Sequence, residues 1–256
     1  MAKEIFEGAC RKIERANRHI EEFEKCSSSF RKEYTAEFVV SSNPSDDFVT
    51  ADVLRGRPIP EIFSTIIGDV VHNLRTSLDH LAWEAMLLVG ATPSNNTYFP
   101  FGDTAKEVEN RISLNFKGAT NNLQDLIRSI GPCKDQNINL WALNQLDRID
   151  KHRTILLVID QKVIESLNVR DAAGNMMFGN MAFKITGEAG MKGLFAAPPG
   201  ATFELSQNSK VDIDIAFGSD VPYFLGRHVH NTLRDISSEV SAVAGRFKAA
   251  KFFTTS

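Results

Sequence analysis

Apolar residues recur with the period of an α-helix over residues 66–89, IIGDVVHNLRTSLDHLAWEAMLLV. At about 100° per residue, these apolar side chains form one broad arc along the helix. The arc consists of Ile67, Val70, Val71, Leu74, Leu78, Leu81, Ala85 and Leu88. The pattern predicts a long central helix that buries this arc in the core.

The opposite face of this helix is polar, but its composition is not that of an ordinary solvated surface. Solvated helix faces are rich in Lys, Glu and Gln, which are good helix formers. This face is made of Asp69, His72, Asn73, Arg75, Thr76, Asp79 and His80. Trp83 lies in the middle of it, which indicates that this face is covered as well. Buried polar groups need partners, so the face is either an active site or an organising network.

The rest of the chain shows further helical periodicity and a smaller amount of strand. Helices are predicted over 3–25, 104–115, 121–129, 138–152 and 221–249. The first of these is expected to end at Cys26 and the serine run 27–29. Strands are predicted over 33–40, 47–54, 154–160, 163–170, 177–186, 202–206 and 211–217, with a loop over 191–200.

These elements predict an α+β protein: a helical bundle around the long buried central helix, with a small, mainly antiparallel β-sheet. We expect a single domain over residues 1–256, with a β-hairpin in 33–54 and a β region in 154–217 that together form one sheet layer. In the strand VDIDIAF, Asp212 and Asp214 alternate with apolar residues, so both are expected to be solvated.

Composition limits the range of functions. The net charge of −3 gives no bulk attraction to nucleic acid or to an anionic membrane, so any such site must be local. The charged first residues lack the apolar core of a signal peptide. No apolar run reaches the ~18 residues of a membrane span. We therefore expect a cytoplasmic protein that does not insert into membranes.

One interpretation of the polar face is metal binding. Asp69 and His72 form D-x-x-H and share one face of the helix. Helix bundles build metal sites from such pairs on facing helices, and Asp147, Asp150 and His152 in LDRIDKH could complete one. A first-row metal or zinc accepts these nitrogen and oxygen ligands.

A second interpretation is a structural network between the central helix and the helix 138–152. The polar residues of both segments repeat at helical spacing, so their polar faces are expected to meet. Arg75 is then expected to pair with Asp147 or Asp150. Lys151 or Arg153 is likewise expected to pair with Asp79 or Asp69. Such a face would belong to a non-catalytic helical scaffold or interaction protein.

A third interpretation follows from the spacing of Arg75 and His80, which gives R-x-x-x-x-H on a helix. This motif resembles that of the HEPN superfamily, helical proteins many of which are metal-independent ribonucleases of bacterial toxin and defence systems. The segments GDVVHNLRTSLDHLAW and LDRIDKHRTILL also resemble those of a family of uncharacterised bacterial proteins, a likeness that implies no function.

The HEPN resemblance implies roles for four residues and a kind of partner. Arg75 would bind the scissile phosphate, and His80 would act on the 2′-hydroxyl or on the leaving oxygen. Asn73 and Asp79 would orient these two side chains. The expected protein is a homodimeric, cofactor-free enzyme that acts on RNA or a nucleotide in bacterial stress or phage defence.

Overall fold

The computed structural model describes residues 5–34, 37–42, 49–54, 58–186, 195–205 and 211–250. Side chains are not described within 37–42, 49–54, 160–166, 180–186, 195–196 and 211–212, nor at position 205. The described chain contains helices and antiparallel strands, which confirms the predicted α+β class.

The helices and strands follow one another in a mixed order. The helices are α1 (Glu7–Glu33), α2 (Ile62–Leu88), α3 (Ala105–Asn115), α4 (Asn121–Ile130), α5 (Ile138–Asp150) and α6 (Val229–Ala249). The strands are β1 (Glu37–Ser42), β2 (Val49–Leu54), β3 (Leu157–Arg170), β4 (Met176–Thr186), β5 (Phe195–Ala197), β6 (Thr202–Leu205) and β7 (Val211–Phe217). Within the part of the chain that the structure describes, no helix is long and apolar enough to span a membrane.

Contacts between residues divide the chain into two compact units. Unit 1 comprises residues 1–24, 64–155 and 230–256. Unit 2 comprises residues 25–63 and 156–229. The single domain over residues 1–256 stays a prediction.

Unit 1 is built around α2, whose apolar arc is buried as predicted. Its members from Ile67 to Ala85 are fully buried, whereas Leu88 at the end of the helix is partly exposed. The aromatic rings of Phe6 and Phe99 both pack against Phe247 of α6. Burial of these large side chains supplies most of the driving force for folding.

Unit 2 contains two antiparallel sheets, not the single layer that we predicted. β1 and β2 form the predicted hairpin, and β5 pairs with the other edge of β2. The turn residues 43–48 lie outside the described part. β5 falls in the predicted loop 191–200, where a strand of only three residues leaves too little alternation to be recognised.

The second sheet is organised by the long strand β3. It pairs with β4 on one edge and with β7 and β6 on the other. Ile213, Ile215 and Phe217 of β7 are buried, as the alternation predicted. Asp214 is not simply solvated, because it forms ion pairs with Arg31 at 3.1 Å and His228 at 3.2 Å. The side chain of Asp212 lies outside the described part.

The two helix boundaries that differ most from the prediction do so for physical reasons. α1 continues through the serine run to Glu33, because Ser27 is buried and Phe30 packs edge-on against Phe63, with ring centroids 5.7 Å apart. That burial outweighs the modest helix propensity of serine. α6 begins at Val229, eight residues later than predicted, because Gly226 adopts a left-handed conformation with φ of 72°.

Candidate functional site

The polar faces of α2 and α5 meet, which confirms the predicted contact between these two helices. His72 Nδ1 of α2 lies 3.4 Å from Asp147 Oδ1 of α5. Arg75 Nε donates to Asn144 Oδ1 over 3.2 Å. Both contacts join side chains that the sequence placed on the non-apolar faces of the two helices.

The individual ion pairs differ from the prediction. Arg75 pairs with Asp79, one turn along its own helix. Lys151 Nζ lies 2.5 Å from Asp147 Oδ2, also one turn away. Side chains four residues apart are neighbours on a helix surface, so these local pairs form without bridging two helices. Arg153, predicted to pair with Asp79 or Asp69, is exposed.

The guanidinium of Arg75 is largely buried and contacted on several sides, with its side chain 14% exposed. It lies over the ring of Phe101, 4.6 Å from the ring centroid. Its Nη1 atom forms the ion pair with Asp79 without the alignment of a hydrogen bond. These contacts fix the plane of the guanidinium, which is the group that recognises phosphate oxygens.

Asp79 links this ion pair to the segment that follows α2. Its Oδ1 atom accepts a hydrogen bond from the backbone N–H of Phe99 over 2.9 Å. Phe99 and Phe101 of the segment YFPF, residues 98–101, are buried in the core. Tyr98 is the exception, since it is 52% exposed.

Arg75 lines a cavity of about 350 Å³ in unit 1. The cavity is bordered by α2, α3, α5 and the segment 96–101. Its lining consists of Arg75, Asn96, Tyr98, Phe99, Phe101, Arg111, Leu114, Asn115 and Asn144. Two arginines and three carboxamides on apolar walls, with no carboxylate in the lining, suit a ligand that is anionic at one end.

His80 lines a second and larger cavity of about 600 Å³, also in unit 1. This cavity is lined by Gly8, Asp79, His80, Trp83, Glu84, Leu87, Asn95, Thr97 and Tyr98. Trp83 is 42% exposed, so the expectation that a covered face surrounds it is wrong. The imidazole is close to the α1 backbone, since a Cβ added at Gly8 would lie 2.9 Å from His80 Nδ1.

Arg75 and His80 therefore open onto different cavities. Five residues on a helix rotate the side chain by about 140°, which places the two on different sides of α2. The cavities nevertheless share Tyr98, and Asp79 of the larger cavity holds Arg75 of the smaller one. Asp79, predicted to orient Arg75, thus forms an ion pair with it.

Asn73, the fourth predicted residue, is directed elsewhere. Its side-chain amide donates to the backbone oxygen of Asp69 over 2.7 Å. Its carbonyl accepts from Lys12 Nζ over 3.3 Å, which ties α2 to α1. These bonds give Asn73 a place at the interface of the two helices, and it lines neither cavity.

The residues of the metal hypothesis do not converge. Asp69 and His152 are exposed. The buried Asp147 already contacts His72 and Lys151 through its two carboxylate oxygens. Among the residues that the structure describes, no three His, Cys, Asp or Glu side chains come together to hold a metal ion. The five predicted ligands therefore do not form a binding set.

Asp150 has an unusual environment within this acidic group. Its carboxylate packs against the bare backbone of Gly68, where an added Cβ would collide with it. Burial raises the pKa of Asp150, and the charges of Asp147 and Asp69 raise it further. His72 and Lys151 oppose this shift by favouring the ionised form. The ionised carboxylate is thus less stable here than in water.

Asp150→Asn is expected to stabilise the protein at pH 8. A raised pKa in the folded state means that folded-state stability falls as pH rises from the ordinary value near 3.8 through the raised value. Asparagine stays neutral, so it removes this loss, with a gain below about 1 kcal/mol because the site is partly exposed. Urea unfolding at pH 8 and pH 4 should show the gain only at pH 8. A destabilised variant at pH 8 would contradict the assignment.

Sequence reasoning missed most of the residues that line the cavities, including Arg111, Asn144 and Tyr98. Arg111 lies on the exposed surface of α3 and looks like any solvated arginine. Asn144 lies on α5 where this helix meets α2, and its side-chain oxygen accepts a hydrogen bond from Arg75. Tyr98 belongs to the run YFPF, which is too apolar for a free loop, and that run was the one available signal.

Comparison of the chain with models of protein families, with curated proteins and with solved structures finds no match.

Proposed function

We propose that this protein is a metal-independent enzyme of the HEPN kind that cleaves RNA. The proposal is carried by one observation: Arg75 and His80 open onto two cavities that share Tyr98. A single strand that passes Tyr98 would meet a fixed guanidinium on one side and an imidazole on the other. The half-exposed rings of Tyr98 and Trp83 suit stacking with unpaired bases.

The chemistry that the resemblance implies is attack by the ribose 2′-hydroxyl on the neighbouring phosphorus. His80 takes the proton of the 2′-hydroxyl as the O2′–P bond forms. The P–O5′ bond breaks, and the leaving oxygen takes a proton from water. The products are a 2′,3′-cyclic phosphate and a 5′-hydroxyl end.

Arg75 and Asp79 would act on the phosphate in this reaction. Arg75 would stabilise the negative charge that builds up on the phosphate oxygens. Asp79 would hold Arg75 in position through their ion pair. This scheme needs no metal ion and no cofactor.

The competing proposal is a non-catalytic helical scaffold. The observation that favours it is the burial of Arg75, which Asp79, Asn144 and Phe101 already contact. Such a group can support the fold without chemistry. The homodimer and the role in bacterial stress or phage defence stay implications of the resemblance, and sedimentation of the purified protein would test the first.

Incubation of the purified protein with total RNA tests the enzyme proposal. We expect cleavage to the same extent with and without EDTA, because no step uses a metal ion. The new ends should be a 2′,3′-cyclic phosphate and a 5′-hydroxyl, which end-specific labelling distinguishes from a 5′-phosphate. Cleavage that EDTA abolishes would overturn the mechanism, and intact RNA under all conditions would favour the scaffold.

A further inference from the structure

We propose that the 350 Å³ cavity is a binding site for one nucleotide, with Arg111 as the residue that binds its phosphate. The inference deepens the proposed function and rests on it, since it supplies a place for a nucleotide next to the cleaved bond. Beyond the motif on α2, the inference names a further binding residue, Arg111, and a class of ligand, a nucleoside phosphate.

The charge of this cavity comes mainly from Arg111. Arg75 is compensated by Asp79, which lies outside the lining of this cavity. Arg111 makes no ion pair with any residue that the structure describes, and its side chain is exposed on α3. An uncompensated guanidinium at a concave site attracts an anion, and its planar fork matches two phosphate oxygens.

The carboxamides of the cavity have hydrogen-bonding groups to spare. Asn144 accepts from Arg75 through its oxygen, which leaves its amide N–H groups available. Asn115 donates to the backbone oxygen of Tyr98 over 3.2 Å, which leaves its side-chain oxygen as an acceptor. The edge of a nucleobase presents both donors and acceptors, so this pair of amides complements it.

The remaining walls suit the flat face of a base. The exposed side chains of Tyr98 and Leu114 form these walls, whereas Phe101 is buried and its ring face is covered by the guanidinium of Arg75. A volume of about 350 Å³ lies at the lower end of the range of small-ligand pockets. The site therefore offers one phosphate position and one base position, so we expect a nucleotide to bind more tightly than a bare anion.

Titration calorimetry of the full chain tests the inference with three probes: inorganic phosphate, adenosine and adenosine monophosphate. We expect adenosine monophosphate to bind more tightly than either fragment. Arg111→Ala should weaken its binding roughly 10- to 100-fold, the loss of one charge-assisted contact. Arg148→Ala is the matched control, because Arg148 is an exposed helical arginine that bonds only Gln145 in the described structure.

The outcomes separate this inference from the proposed function. Tight nucleotide binding without RNA cleavage would support the site and remove the enzyme proposal. Cleavage whose KM is unchanged by Arg111→Ala, together with unchanged nucleotide binding, would overturn the site alone. Equal affinity for phosphate and for adenosine monophosphate would overturn the base position. If Arg148→Ala weakened nucleotide binding as much as Arg111→Ala, the loss would reflect the net charge of the protein and not a contact of Arg111.

Discussion

Arg75→Ala is expected to destabilise the folded protein by about 3 kcal/mol, because it leaves Asp79 without its counter-charge in a largely buried position. It also removes the hydrogen bond to Asn144 and the contact with Phe101. In a chain of this size such a loss lowers Tm by roughly 6–12 °C. Thermal unfolding followed by circular dichroism measures it.

The same variant separates a structural Arg75 from a purely catalytic one when it is combined with Asp79→Ala. Residues in direct contact couple, so the double variant should lose less stability than the sum of the single variants, by about 0.5–3 kcal/mol. Asp79→Asn can replace Asp79→Ala in the double variant as a less disruptive change, because the amide oxygen can still accept the hydrogen bond from the Phe99 N–H. Additive losses, with an unchanged Tm for Arg75→Ala, would show that the pair does not stabilise the fold.

His80→Ala is expected to lower the rate of RNA cleavage roughly 10²- to 10⁴-fold, the usual contribution of a general acid–base group. Its Tm should change little, since the imidazole is partly exposed at the larger cavity. Gel analysis of a labelled RNA under single-turnover conditions measures the rate. A pH–rate profile that loses one limb in His80→Gln would assign the proton transfer to this imidazole.

The control for this variant is His228→Ala. His228 contacts a carboxylate, Asp214, but it lies in unit 2 and lines neither cavity. Cleavage should persist in this variant. If His80→Ala retained full cleavage while His228→Ala did not, the activity would belong to a different site.

The elements that could be predicted from the sequence are those whose periodicity is long. α2 carries its apolar arc over six turns, and every arc member before Leu88 proved to be buried. Boundaries failed where a tertiary contact decided the outcome. The serines that extend α1 have weak preferences of their own, and burial of Phe30 against Phe63, which is distant in sequence, keeps them helical. The three residues of β5 form a strand only because they pair with β2.

The residues that α2 contributes to the candidate site could be predicted from the sequence, whereas the cavity-lining residues from other elements could not. Helical spacing placed Arg75, Asp79 and His80 on the polar side of α2, and Asp79 proved to pair with Arg75. Spacing alone did not reveal that Arg75 and His80 face different cavities. Arg111 lines the smaller cavity because α3 packs beside it. No pattern in the surrounding sequence distinguishes it from a solvated arginine. The ion-pair partners were wrong because a neighbour on the same helix was closer than one on α5.

Tyr98 has a thermodynamic consequence as the side chain common to both cavities. A ligand in either cavity that moves or orders this ring changes the free energy of binding in the other. The coupling must be reciprocal: if a nucleotide in the smaller cavity changes the affinity of the larger one by some factor, the converse factor is the same. Asn115, which holds the backbone oxygen of Tyr98, would set the size of that factor without touching the ligand of the larger cavity.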